Sequence, residues 1–225
     1  MCLHGSFCVG NSLCIHWESR KDMKHFGLRF IVHAAGLLPL VWMVGDFLLN
    51  LESYSANRAL MLRSGSAGLI LLVVAFAVSP LAWWLRQPVL VQPRRALGLY
   101  GFLFVCIHLL VYAWLDNNFM LDLMVRDLGE RGAMSIGLLA FALLIPLALT
   151  STDGWQRRLG KRWRILHRLV YLVLPLSVLH YFWLDRDIVT RPVIFAAIVG
   201  VLLLLRLSWL RRQFRGKLYH SGLHG

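Results

Sequence analysis

Six long apolar runs constrain this chain more than any other feature. They lie near 27–49, 66–85, 96–115, 133–150, 165–184 and 192–210. Each holds about 18–23 residues, enough to cross a hydrocarbon core of roughly 30 Å. In lipid every backbone polar group must find a partner within the protein, so spans are helices or closed barrels, and runs this long without alternation predict helices. A hydrophobic content of 58% and a mean hydropathy of +0.63 exclude a soluble α/β domain and a disordered chain. The fold class expected is therefore an all-α integral membrane protein, a six-transmembrane-helix bundle. Short connections make sequential helices antiparallel neighbours. Pro39, Pro80, Pro146 and Pro175 fall within or near the ends of spans, which membrane helices tolerate when neighbours satisfy the freed carbonyls.

The formal net charge of +13 raises nucleic acid as a partner, but the cations sit in short runs between apolar segments, so no nucleic acid is expected. With the N-terminus inside, Arg86, Arg94, Arg95, Arg157, Arg158, Lys161, Arg162, Arg164, Arg168, Arg206 and the basic C-terminal segment collect on the inner side. Arg58, Arg63, Arg126, Arg131, Arg186 and Arg191 remain outside. This bias predicts both termini cytoplasmic. Acids including Asp46, Glu52, Asp127, Asp185 and Asp187 fall on the outer side, and tryptophans such as Trp83, Trp114, Trp155 and Trp183 mark an interfacial belt.

Residues 1–24 read as a polar N-terminal extension, and Met23 is expected to be the natural start, so that the preceding residues are not native. Residues 25–215 form the membrane domain and 216–225 a cytoplasmic tail. Cys2, Cys8 and Cys14 carry no metal-site signature, and Cys106 lies within a span as a small packing residue. No cleavable signal peptide, Gly-rich dinucleotide loop or P-loop is evident. Gly98-Leu99-Tyr100-Gly101 is apolar span.

Four histidines fall in spans, and imidazole in hydrocarbon needs a reason. His108 lies about 20 Å along span three from the basic side, and His180 lies similarly far along span five. His33 and His167 lie near the basic side. The four sort into two depths, His108 with His180 outside and His33 with His167 inside. Neutral imidazole is the usual protein ligand of haem iron, and a b-type haem takes two of them on facing helices. The outer pair meets that requirement by depth. For His33 a haem ligand, a quinone hydrogen-bonding group and a plain interfacial histidine all remain open. An ideal helix turns His167 and His180 onto different faces, although Pro175 between them can bend it. Helix-to-helix hydrogen bonding is the competing structural reading of each histidine. Tyr112 and Tyr171, one turn after His108 and His167, read first as packing aromatics. Arg157, Arg158, Lys161, Arg162 and Arg164 are first a topology signal, and could also bind haem propionates, a flavin phosphate or anionic lipid head groups.

HAAGLLPLVW from His33, SPLAWWLRQP from Ser79, RRALGLYGFLFVCIHLLVY from Arg94 and TSTDGWQRRLGKRWRILHRLVYLVLPLSVLHY from Thr150, with the last apolar span, resemble the MsrQ (YedZ) family of the ferric-reductase-like transmembrane group. The resemblance covers nearly all of the chain from His25 to Arg215. It implies haem b, one or two per chain, with His108, His167 and His180 as haem-linked histidines and His33 as the first-span histidine. It also implies FMN, for which the phosphate candidates are Arg157, Arg158, Arg162 and Arg164. It implies a bacterial inner-membrane subunit that takes electrons from the quinone pool or a cytoplasmic flavin reductase. Those electrons go to a periplasmic molybdopterin methionine sulfoxide reductase, which repairs oxidised periplasmic proteins. Leu62-Arg63-Ser64-Gly65 departs from the family's His-x-Thr-Gly, so no imidazole acts there, and Arg131-Gly132 stands where Arg-Pro is common.

Two other functions compete. One is a cytochrome b anchor of another respiratory enzyme or a ferric reductase, which would co-purify with a different partner. The other is a small proton-coupled transporter, which would be colourless. The spans supply no intramembrane carboxylate chain and no inverted repeat for it. In the electron-transfer reading the outer loops hold no catalytic residue of their own, and the sulfoxide-reducing site lies on the partner.

Overall fold

The computed structural model describes residues 15–49, 54–184 and 190–221. Cys2, Cys8, Cys14, Glu52, Asp185, Arg186 and Asp187 lie outside the described residues. Helices account for nearly all of what is described, and no strand occurs among these residues. Six helices are long and apolar enough to cross a membrane, at Phe30–Leu49, Asn57–Trp84, Val89–Leu115, Gly132–Leu149, Lys161–Leu184 and Thr190–Leu207. Each overlaps one of the six runs read from the sequence, the second and third starting earlier than read, and the chain is a multi-pass membrane protein.

Helix α1 covers Ile15–Leu49 and α2 Tyr54–Trp84. A single turn at Pro88–Val91 leads into α3, Arg94–Val111, which continues through a wider turn at Tyr112–Asp116. Positive φ angles at Asn118 and Phe119 reverse the chain into α4, Leu121–Glu130. Helix α5 spans Gly132–Leu149. Short helices α6, Asp153–Leu159, and α7, Lys161–Leu166, meet at Gly160, whose φ of 50° suits a residue without a side chain. A tight turn at His167–Leu169 separates α7 from α8, Val170–Leu184, and α9 runs Thr190–Ser221.

The core is organised around α2. One of its faces, with Leu69, Leu72, Val73 and Phe76, packs against Leu144 of α5, Val173, Leu174 and Val178 of α8 and Val199 of α9. The other, with Leu71, Ala75 and Val78, packs against Val32 and Met43 of α1 and Leu97 and Phe104 of α3. Helices α2 and α3 touch through glycine. A Cβ at Gly101 would lie 2.8 Å from Leu72 Cγ, and one at Gly68 would lie 2.9 Å from Val105 Cγ2. Small residues of this kind allow the close approach on which membrane helices depend, since lipid removes the hydrophobic drive between them. Phe30, Val41, Leu49, Leu172 and Leu204 point outward, as a lipid-facing surface requires.

Pro80 cannot donate to the carbonyl one turn before it, that of Phe76. Arg206 of α9 takes the place of the missing N–H, its Nη2 donating to Phe76 O at 3.2 Å. The guanidinium also lies 4.1 Å from the Phe76 ring centre and donates to Tyr171 Oη at 3.4 Å. Tyr171 is thus a packing and hydrogen-bonding aromatic. At the opposite end of the bundle from the basic cluster, Arg63 pairs with Asp46 and joins α2 to α1. The region between spans three and four, read from the sequence as connection, holds α4, and the fifth span is broken at His167.

Candidate functional site

His108 on α3 and His180 on α8 face one another across a cavity between α2, α3, α5 and α8. Their ring centres are 6.3 Å apart and their planes cross at 82°. Each ring is tied down by backbone. His108 Nδ1 donates to Met61 O at 2.9 Å, and His180 Nδ1 donates to Ala133 O at 2.7 Å. A carbonyl accepts only, so both Nδ1 atoms carry the proton, and both Nε2 lone pairs are left free. This is the outer hydrogen bond that metal-ligating histidines make. The two rings stand close enough for one iron between them to be shared by both imidazoles.

The floor beneath each ring is glycine. A Cβ at Gly65 would lie 3.0 Å from His108 Nδ1, and one at Gly137 would lie 2.7 Å from His180 Nδ1. The two halves follow one rule. A single constant shift along the chain maps Met61, Gly65 and His108 onto Ala133, Gly137 and His180. The hairpin α2–α3 and the pair α5–α8 thus form a parallel repeat that brings one imidazole from each half to a shared cavity. Leu69, Phe141 and Val173 give that cavity apolar walls, and Met124 and Leu128 of α4 also line it. Tyr112 lines it and donates to Asp127 Oδ2 of α4 at 2.9 Å. Two imidazole lone pairs in an apolar, glycine-floored cleft fit a haem, which His108 and His180 would hold.

The constant shift carries Arg95 onto His167, so the second layer does not repeat the imidazole pair. His167 stands in a cavity towards the basic end, with Arg94, Arg95, Ser151, Gln156 and Trp163. Its ring stacks on Trp163 at 4.0 Å and 30°, and its Nδ1 donates to Trp163 O at 3.1 Å. Trp163 Nε1 donates to Thr150 O at 2.9 Å, which fixes the indole. Arg94 donates to Ser79 Oγ at 3.1 Å, and Arg95 pairs with Asp153. Leu72 and Leu144 line both this cavity and the His108–His180 cavity, so the two share a wall.

His33 is elsewhere. It is exposed, shares a third cavity with Gln92 and Pro93, and its Nδ1 lies 2.8 Å from Tyr100 Oη. The structure brings His108 and His180 together and leaves His33 and His167 apart. Arg157, Arg158, Arg162 and Arg164 are exposed on α6 and α7 and line none of these cavities. Sequence reading missed the carbonyls of Met61 and Ala133, Gly65 and Gly137, and the α4 cap. The internal shift that relates the two halves was the signal available for the two glycines.

Residues 64–178 match the family model described as ferric reductase like transmembrane component. A protein of Rhodospirillum rubrum named protein-methionine-sulfoxide reductase heme-binding subunit MsrQ is 42% identical over 201 residues, covering 88% of this chain and 95% of that protein. A Salmonella newport protein of the same name is 38% identical over 191 residues, covering 84% of this chain and 95% of its own length. One from Herminiimonas arsenicoxydans is 42% identical over 149 residues, covering 65% and 68%.

Proposed function

The chain belongs to the MsrQ family of haem-binding membrane subunits, within the ferric-reductase-like transmembrane group, and we propose on that premise that it holds haem b between His108 and His180. The observation that carries this reading is the facing pair itself, with ring centres 6.3 Å apart and both Nδ1 atoms committed to backbone carbonyls. Bound there, the haem supplies a one-electron carrier. The protein's own groups set its surroundings. The carbonyls of Met61 and Ala133 fix each imidazole's tautomer and raise its basicity. The walls give the site apolar surroundings, and Gly65 and Gly137 leave room for the rings.

The positive-inside distribution supports an inner-membrane orientation with both termini cytoplasmic, the haem cavity near the periplasmic face and the His167 cavity near the cytoplasmic face. Electrons then pass outward, from the quinone pool or a cytoplasmic flavin reductase, to a periplasmic molybdopterin subunit that reduces methionine sulfoxide in oxidised proteins. The His167 cavity is where they arrive. Its shared wall with the haem cavity, and the guanidinium and imidazole groups of Arg94 and His167, support this. FMN is assigned to the exposed guanidiniums of Arg157, Arg158, Arg162 and Arg164, whose fork geometry suits a phosphate.

The test is a reduced-minus-oxidised spectrum with pyridine haemochrome quantification on the purified protein and its His108→Ala and His180→Ala variants. Both variants are expected to lose the b-type bands. Full haem with unchanged spectra in both would overturn the ligand assignment. One haem per chain leaves His167 to the electron donor, and two would give His167 a haem without a facing imidazole. Co-purification of a molybdenum protein separates this function from a cytochrome b anchor of another enzyme.

A further inference from the structure

Ser64 is fully buried, and its hydroxyl donates to Met61 O at 2.9 Å. The same carbonyl accepts from His108 Nδ1, also at 2.9 Å. A serine bonding back to its own helix is ordinary in membrane spans, and Ser177 to Val173 O and Thr150 to Pro146 O are other cases here. Ser151 likewise donates to Leu147 O, a carbonyl that also partners His167, but only the Ser64 acceptor anchors one of the two facing imidazoles, His108.

The other half lacks this arrangement. The shift that maps Met61 onto Ala133 and His108 onto His180 maps Ser64 onto Ile136, which has no hydroxyl. The Ala133 carbonyl therefore receives the His180 proton without a competing side chain, at 2.7 Å rather than 2.9 Å. The two imidazoles differ in how strongly their Nδ1–H bonds are pulled.

We propose that Ser64 is a positioning residue that raises the reduction potential of the bound haem, by sharing the Met61 carbonyl and so weakening the pull on His108 Nδ1–H. The inference rests on His108 and His180 as the haem ligands. An oxygen that already accepts one proton is a poorer acceptor for another. A weaker Nδ1–H bond leaves the imidazole less anionic and a poorer donor to iron, which favours the reduced state. Hydrogen bonding of this kind acts through the axial ligand, so Ser64 needs no contact with haem.

The experiment is a spectroelectrochemical titration of the full-length protein in detergent. Ser64→Ala is expected to shift the haem midpoint to lower potential with haem content intact, Ser64→Thr to keep it, and Ser64→Cys to fall between. Ile136→Ser places a hydroxyl three residues after Ala133, where Ser64 stands relative to Met61, and is expected to shift the midpoint upward. Loosened packing or admitted water would move both Ser64→Ala and Ile136→Ser downward, so opposite shifts support the proposal. A Ser64→Ala midpoint equal to wild type with full haem would overturn it, as would a downward shift in Ile136→Ser. If Ser64→Ala loses haem, Ser64→Cys carries the comparison, and a Cys midpoint equal to wild type overturns the proposal. Failure of the ligand reading is distinct: the wild-type protein itself would lack haem, or the histidine variants would retain it.

Discussion

Gly137 lies directly beneath the His180 ring, so close that a Cβ there would meet Nδ1 at 2.7 Å. Gly65 holds the same place under His108 with slightly more room, at 3.0 Å. Neither contact involves the far end of a flexible chain, because each ring is held by its carbonyl. Gly137→Ala is therefore expected to push the His180 ring off the Ala133 carbonyl, at the cost of about 1–3 kcal/mol that overpacking imposes. Gly65→Ala should do the same to His108 more mildly. Haem retention during transfer to an apo-globin acceptor measures both. Equal retention by Gly137→Ala and wild type would show that the floor gives way.

The Phe76 carbonyl depends on Arg206 because Pro80 offers it no N–H. Arg206→Leu leaves a buried acceptor unpaired, a loss of roughly 1–3 kcal/mol. Pro80→Ala restores the helical donor. The damage from Arg206→Leu should thus be smaller in the Pro80→Ala background, with a coupling of about 1 kcal/mol or more. Unfolding midpoints of the four proteins in one detergent give the cycle. Additive effects would mean that the carbonyl does not link the two residues.

Much of the bundle was legible because lipid leaves few choices. Runs of 18 or more apolar residues become helices, and histidines within them can be sorted by distance from the basic ends. That sorting paired His108 with His180 correctly in depth. It also set His33 with His167, which the structure keeps in separate cavities, since depth carries no information about the direction in which a side chain faces. His33 lies by Tyr100, and His167 stacks on Trp163. Helix α4 was missed although Leu121, Met124, Val125 and Leu128 follow helical spacing, because its charged residues read as loop beside the longer runs. The carbonyls of Met61 and Ala133 were invisible for a simpler reason: every residue has one, and only the packing of α2 on α3 and α5 on α8 decides which is used.

Tyr112 ties α4 to the His108–His180 cavity through Asp127, which also pairs with Arg131 at 3.3 Å. Tyr112→Phe removes one hydrogen bond, a loss of about 1 kcal/mol, and leaves the ring in place. Amide exchange across 121–130 is expected to quicken roughly fivefold, with haem content unchanged. Hydrogen-exchange mass spectrometry resolves this helix from its neighbours. Unaltered exchange there would mean that the apolar contacts of Met124 and Leu128 hold the cap without Tyr112.

His33 and His167 line cavities other than the one that holds His108 and His180, and the two should answer differently to removal. His33→Ala deletes a contact to Tyr100 at an exposed position, so the b-type bands are expected to stay. His167→Ala removes the imidazole beside Arg94 but leaves the His108–His180 pair untouched, so the haem of that pair should also stay. What changes is delivery. Oxidation of a quinol releases protons with its electrons, and the imidazole of His167 is the group in this cavity suited to take one. Haem reduction by an added quinol should slow by about tenfold or more in His167→Ala, while reduction by dithionite stays fast. Stopped-flow absorbance follows both. Equal quinol rates would remove His167 from the electron path. Loss of haem from His167→Ala alone would instead make it an iron ligand and place a second haem in the cavity towards the basic end.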